Sequence, residues 1–266
     1  MTFNFQTPIT AYETLAIILA ALALIVPFLK WIYKKFFKRL KLYFTPSETI
    51  TLYFNKSGSY VLLGGVFEAK NKAIVIKNIS VDIIRDSDNA TLQLDWSTFS
   101  SLVYRRVGGN YENTYETAHP FKVEANTLFP VNIEFGSLIE NIEEKNDKRL
   151  EPIYQYTREV INSTQNPTIP YIDSAVKNNK TATGVRDSLS DLFFWKEGKY
   201  RIVLKTQYNN KLLKHTYKFS LTSDESKKLR ENIDNLIVAQ VADCFQLKLI
   251  MNTVRKRLTV TDKGSK

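Results

Sequence analysis

The chain has 266 residues, with 37 Lys and Arg against 27 Asp and Glu, a formal net charge of +10, and a single cysteine, Cys244. One cysteine excludes a disulfide framework and suits a reducing compartment, while 14 Tyr and 16 Phe beside 9 Gly and 8 Pro exclude a low-complexity or disordered body. Six of the ten net positive charges fall within residues 30–41, so the charge is local and not the basic face a nucleic-acid binder needs.

Residues 1–11, MTFNFQTPITA, form a tail too short to fold. Leu15 to Leu29 then reads LAIILAALALIVPFL. Extended to Tyr12 and Tyr33, this stretch predicts a helix of about 33 Å, against a hydrocarbon core of about 30 Å. Leu15, Ala16, Ala20, Leu22, Pro27 and Leu29 belong to that span; Ala16 and Ala20, four apart, would permit close helix packing, and Pro27 is tolerable near a membrane helix's end.

The rival readings are a buried core helix and a cleaved signal peptide. Residues 1–14 contain no Lys or Arg, which a signal peptide needs ahead of its apolar stretch. Lys30, Lys34, Lys35, Lys38, Arg39 and Lys41 follow the span, with no acid before Glu48. Positive flanks stay in the cytoplasm, so the expectation is one span at 12–33 in the cell inner membrane, with the N-terminus outside and 34–266 inside. Trp31 and Tyr33 join those basic residues as a lipid interface for acidic headgroups; a stop-transfer flank is the plainer reading of the same run. Residues 34–45 are expected to continue as helix along the headgroups until Thr45-Pro46-Ser47 breaks it.

From Glu48 the hydrophobic period becomes two. Ile50, Leu52 and Phe54 alternate with Thr49, Thr51 and Tyr53, then Tyr60 to Ala69 forms a second strand, where Gly64-Gly65 suggests a bulge or a close backbone approach. Asn71-Lys72 turns the chain into a long strand, Ala73 to Arg85, bent near Asn78, and Asp86-Ser87-Asp88-Asn89 turns it again into Ala90–Trp96. Further strands are expected at Ser101–Arg106 and at Phe121–Phe135, the latter two strands with a corner.

Residues 137–192 form an insertion: Ile139 to Asn162 is charged and compatible with a helix broken at Pro152, and Asn166 to Val185 reads as a long loop. Strands return at Trp195–Thr206 and Leu212–Leu221 around the turn Asn209-Asn210-Lys211. Many short strands at hairpin spacing predict a mainly β fold with helical additions, a β-sandwich over 46–222. The piece Glu197-Gly198-Lys199-Tyr200-Arg201-Ile202-Val203-Leu204, with the long Ala73–Arg85 strand, resembles the immunoglobulin-like and fibronectin-III-like superfold. That resemblance implies a cytoplasmic Ig-like sandwich and carries no site with it.

A C-terminal helix over 223–260 is expected next, opened by a capping box at Thr222 and Glu225, with 261–266 as a frayed tail. Leu229, Ile233, Ile237, Val241, Cys244, Leu247, Met251, Val254 and Leu258 recur at steps of three or four and would line one face. That row either packs within the chain or serves as a self-association seam between copies, a homo-oligomer.

No residue set rises to a catalytic, cofactor or metal signature. The Asp86–Asn89 turn lacks the Gly and Glu of a calcium loop, Arg105-Arg106 before Gly108-Gly109 lacks the helix and Lys of a phosphate loop, and His119 and His215 have no ligands at metal spacing. Cys244 lies on the apolar row with no adjacent base, and Glu140, Glu143 and Glu144 read as a solvated helix face. The expected function is therefore a non-catalytic, single-pass anchored module that binds a protein partner or assembles a complex at the membrane. Two alternatives stay open: a membrane-perturbing effector that clusters through its soluble domain, the layout of bacterial defence or toxin-like proteins, and a tethered nucleic-acid or nucleotide binder.

Overall fold

The computed structural model describes residues 10–33, 39–107, 110–137, 144, 148, 150–155, 158–159, 167–243 and 245–260, without the side chains of 100–115. Helix α1, Ala11–Ile32, starts where Thr10 and Glu13 exchange hydrogen bonds in a capping box, and Pro27 is inside it. None of its residues is buried. It is long and apolar enough to cross a membrane, and its zero burial is not that of a core helix.

Among the described residues eleven strands follow in one sheet: β1 (Lys41–Asn55), β2 (Gly58–Lys70), β3 (Ile74–Arg85), β4 (Thr91–Val107), β5 (Asn110–Thr117), β6 (Phe121–Val123), β7 (Leu128–Gly136), β8 (Gly198–Tyr208), β9 (Lys211–Leu221), β10 (Val254–Arg257) and β11 (Thr259–Val260). The hydrogen-bonded path runs β10-β1-β2-β7-β4-β3-β8-β9-β11, with β5 beside β4 and β6 beside β3. Its two ends are consecutive in the chain. Only Leu258 separates β10 from β11, and its N–H donates to the Glu48 carbonyl at 2.8 Å. Val254 pairs with Leu52 on β1, while Thr259 pairs with Lys218 on β9. This clasp makes the sheet a near-closed barrel and covers both edges that would otherwise stand open.

Closure requires the strands to bend. β1 changes register between Pro46 and Ile50, where proline offers no N–H to the ladder. β4 leaves β3 at Asp95 and joins β7, with an irregularity between Trp96 and Thr98. The interior is filled by the period-two set of each strand, among them Leu52, Phe54, Leu63, Phe67, Ile79, Val81, Phe135 and Tyr200. Gly65 is needed for close approach: a Cβ there would lie 2.4 Å from Cζ of Phe44, whose ring crosses the strand. Gly136 does the same for Tyr60, at 2.1 Å.

Of the helices α2 (Ile169–Asn178), α3 (Lys180–Asp191), α4 (Ser223–Arg230) and α5 (Asn232–Asp243), α4 and α5 pack on the barrel through β1, and α2 and α3 pack on α5. Ile172, Ala175 and Val176 are buried on α2, and Ala182, Val185 and Leu189 on α3, the helical 3–4 spacing. Residues 150–155 are also helical, with Leu150 and Ile153 in the core.

Mainly β with helices and an apolar N-terminal helix is what the sequence pattern predicts. Several finer expectations give way. The strands share one continuous path in place of the two facing sheets of a sandwich over 46–222. Residues 41–44 are not helix on headgroups: they open β1 and bury Leu42 and Phe44, so Lys41 belongs to the barrel. The supposed loop 166–185 holds α2 and the first half of α3.

The long helix 223–260 also fails. It is interrupted at Glu231 and ends at Asp243, because Gln246 takes a left-handed φ of 58°. The N–H of Leu247 then donates to Ala242 O at 3.0 Å and that of Gln246 to Asp243 O at 3.1 Å, a Schellman stop. Beyond it the chain is extended.

Candidate functional site

The span residues Leu15, Ala16, Ala20, Leu22, Pro27 and Leu29 all lie on α1 and are all exposed. Lys30 and Trp31 close the same helix and Tyr33 caps it. Lys34, Lys35 and Lys38 lie outside the described residues, as do Cys244, Glu140 and Glu143. Arg39 precedes β1, and its carbonyl accepts a bond from Asn71 Nδ2 at 2.8 Å.

The proposed seam is not brought together as one row. Leu229 on α4 and Ile233, Ile237 and Val241 on α5 are buried within the chain. Leu247 and Met251 are half-buried in extended chain, and Val254 is a buried residue of β10. Of these seven positions four lie on helices and three do not, and Leu258 of the same row lies between β10 and β11.

Polar groups in the barrel are largely occupied structurally. Arg85 is 6 % exposed and its guanidinium donates to both carboxylate oxygens of Asp88, at 2.9 and 2.7 Å, and to Phe194 O at 2.8 Å. That pairing holds the Asp88 carboxyl down at about 2. Asp86 binds Arg201 at 2.7 Å, so two acids of the Asp86–Asn89 turn already have cations. Glu144 pairs with Lys148 at 2.7 Å. His119 is exposed, with Nδ1 2.9 Å from Thr117 O. His215 points inward between Phe44 and Tyr217, and burial pushes its pKa down. Among the described residues no group of three or more His, Cys, Asp and Glu could hold a metal.

A basic groove lies at the clasp. The two-residue turn Asn209-Asn210 fixes the β8–β9 register, with both residues at positive φ. Arg201 therefore stands opposite Lys218, and Lys205 opposite Lys214, on the outward face. Like charges placed so repel. β3 and the turn after it relieve one of each pair: Asp86 neutralises Arg201 and Asp82 neutralises Lys205. Lys214 and Lys218 have no carboxylate partner among the described residues.

Lys199, Lys218, Lys256 and Arg257 line this groove, with Asp86 as its one acid. Lys256 is tied to Glu225 at 2.8 Å, while Arg257 reaches Glu48 only at 3.5 Å with both side chains 81 % exposed. Such a long exposed pair holds its cation weakly and leaves it available. The groove suits a carboxylate or phosphate group. The β8–β9 part of its signal was in the sequence: a two-residue turn fixes which residues of the flanking strands oppose each other, and cations recur on one parity of both.

No family model matches the chain, and no curated protein does. One solved structure is similar: the crystal structure of Spo0M, sporulation control protein, from Bacillus subtilis, at 9 % identity over 75 % of this chain, with a TM-score of 0.27. The match spans 56 % of that protein's length.

Proposed function

We propose that the protein is a single-pass, membrane-anchored, non-catalytic module whose barrel, on the cytoplasmic side, receives an acidic segment of a protein partner in the groove at the clasp. The observation that carries this reading is that Ala11–Ile32 is a capped apolar helix with no buried residue, attached to a barrel that has a complete core without it. A water-exposed helix of that composition is costly unless lipid surrounds it. The groove supplies the partner chemistry: Lys199, Lys218 and the loosely held Arg257 beside one acid, Asp86, which Arg201 already holds.

The test is co-purification from mild detergent of the full chain and of a Lys218→Glu/Arg257→Glu variant. Support requires one protein that travels with the full chain in fixed ratio and is lost from the variant at equal yield. Retention of that protein by both removes the groove from the account. A full chain that retains nothing above an empty-detergent control removes the module reading.

The same excess of cations favours a second reading, a tethered nucleotide or nucleic-acid binder, since the groove is a basic feature of the folded domain beyond the flank. Salt-sensitive binding of RNA or DNA by the full chain, abolished by the same double substitution, would favour it over an acidic protein segment.

A further inference from the structure

The barrel has two ends of different charge. Register assigns residues to each: Lys41 pairs with Lys70, Glu68 with Leu128, Val75 with Lys122, and Tyr208 with both Ile76 and Lys211. All of these share one end, where β1 starts and the chain comes in from α1. Hydrogen bonds tie that end together. Asn71 Nδ2 donates to Arg39 O at 2.8 Å, its N–H donates to Asn126 Oδ1 at 3.3 Å, and Lys77 Nζ donates to Asn210 Oδ1 at 3.2 Å.

Among the described residues six exposed lysines stand here, Lys41, Lys70, Lys72, Lys77, Lys122 and Lys211, against two acids, Glu68 and Glu124. Leu128 and Leu212, 70 % and 55 % exposed, sit among them. At the far end the acids Asp86, Asp88, Glu197 and Asp224 are interleaved with Lys56, Lys196 and Lys199, and the clasp groove nearby has Arg201 and Lys256 held by Asp86 and Glu225. The end nearest the anchor thus carries a lysine excess of its own, separate from the clasp groove.

We propose that this end of the barrel docks on an anionic bilayer surface, lysines on the headgroups and the two leucines toward the acyl boundary. The proposal rests on the reading of α1 as a membrane anchor. Ile32 and Lys41 are nine residues apart, which at full extension allows about 30 Å and keeps the basic end within reach of the headgroups. A surface of lysines with exposed leucines matches a membrane that is negative outside and apolar beneath. Docking of this kind would fix the barrel's orientation and leave the clasp groove free to meet a partner.

The experiment is lysine acetylation footprinting of the full chain in nanodiscs of phosphatidylcholine alone and of phosphatidylcholine with phosphatidylglycerol, read by mass spectrometry. On the anionic discs Lys70, Lys72, Lys122 and Lys211 should react several-fold more slowly, with Lys199, Lys218 and Lys227 unchanged, and high salt should restore the rates. Equal rates at those four lysines on both discs would overturn the proposal, as would slowing spread evenly over all seven. A Lys72→Glu/Lys122→Glu/Lys211→Glu variant should lose the difference between discs while still entering them. If the full chain does not co-elute with either disc, the anchor reading has failed first, and that result is seen before any footprint is read.

Discussion

Asn232 holds both backbone polar groups of Asn252: its Nδ2 donates to Asn252 O at 2.7 Å, and its Oδ1 accepts from Asn252 N at 2.8 Å. The side chain is fully buried at the start of α5, and Nδ2 also reaches Phe54 O at 3.4 Å. Asn252 Nδ2 in turn donates to Lys228 O at 3.0 Å. An amide is the one small side chain that offers a donor and an acceptor side by side, so it stands in for a missing strand. The chain is thereby fixed two residues before β10, and the clasp's register on β1 and β9 follows.

Asn232→Ala is expected to cost about 3 kcal/mol, since it leaves both part-buried backbone groups of Asn252 without partners. The amides of Val254–Val260 should then exchange faster with solvent than those of β3 or β8. Unchanged protection in that segment would show that the clasp stands without Asn232.

Glycines separate close approach from free space. Gly65→Ala and Gly136→Ala should each destabilise the protein by about 1–3 kcal/mol, because Phe44 or Tyr60 must move. Gly184 lies on α3 with nothing within 4 Å of a Cβ, so Gly184→Ala should stabilise it by about 0.5–1 kcal/mol through helix propensity. Denaturant melts of the three variants check the order; a neutral Gly136→Ala would contradict the packing.

Burial depresses the pKa of His215, whose Nε2 has no partner. The unfolded chain therefore takes up a proton at this position at a higher pH than the folded chain does. Its neutral form's contribution is fully present above about pH 6.5 and is lost as pH falls below that value toward the depressed folded pKa. His215→Leu should flatten the decline in Tm between pH 7.5 and 5 and add about 1 kcal/mol at neutral pH by removing an unpaired polar atom. An identical pH profile in the variant would place the titration elsewhere.

What the sequence disclosed was local chemistry. The Asn209-Asn210 and Asp86–Asn89 turns, the bent Ala73–Arg85 strand and the Thr222–Glu225 capping box all stand where residue type alone puts them. Closure of the barrel was not legible, because it depends on a seven-residue segment pairing with strands about 200 and 40 residues earlier. The helical stop at Gln246 carries no glycine to announce it. Past that stop, Leu247, Leu249 and Met251 alternate at period two, yet Leu247 and Met251 also sit four apart and so continued the helical row. On α2 and α3 the frequent Asn, Lys and Thr concealed the spacing of Ile172, Val176, Val185 and Leu189. The site divides in the same way: α1 is plain from composition, whereas the groove needs β9, β10 and β11 assembled before Lys218 and Arg257 come together.

The most direct measurement is alkaline carbonate extraction of membranes from cells making the full chain, with the intact mass of the product read in both fractions. The account requires the whole polypeptide, N-terminus included, to stay in the membrane pellet and to leave it only with detergent. A barrel recovered in the supernatant, whether uncleaved or shortened at its N-terminus after removal of residues in α1, would contradict it.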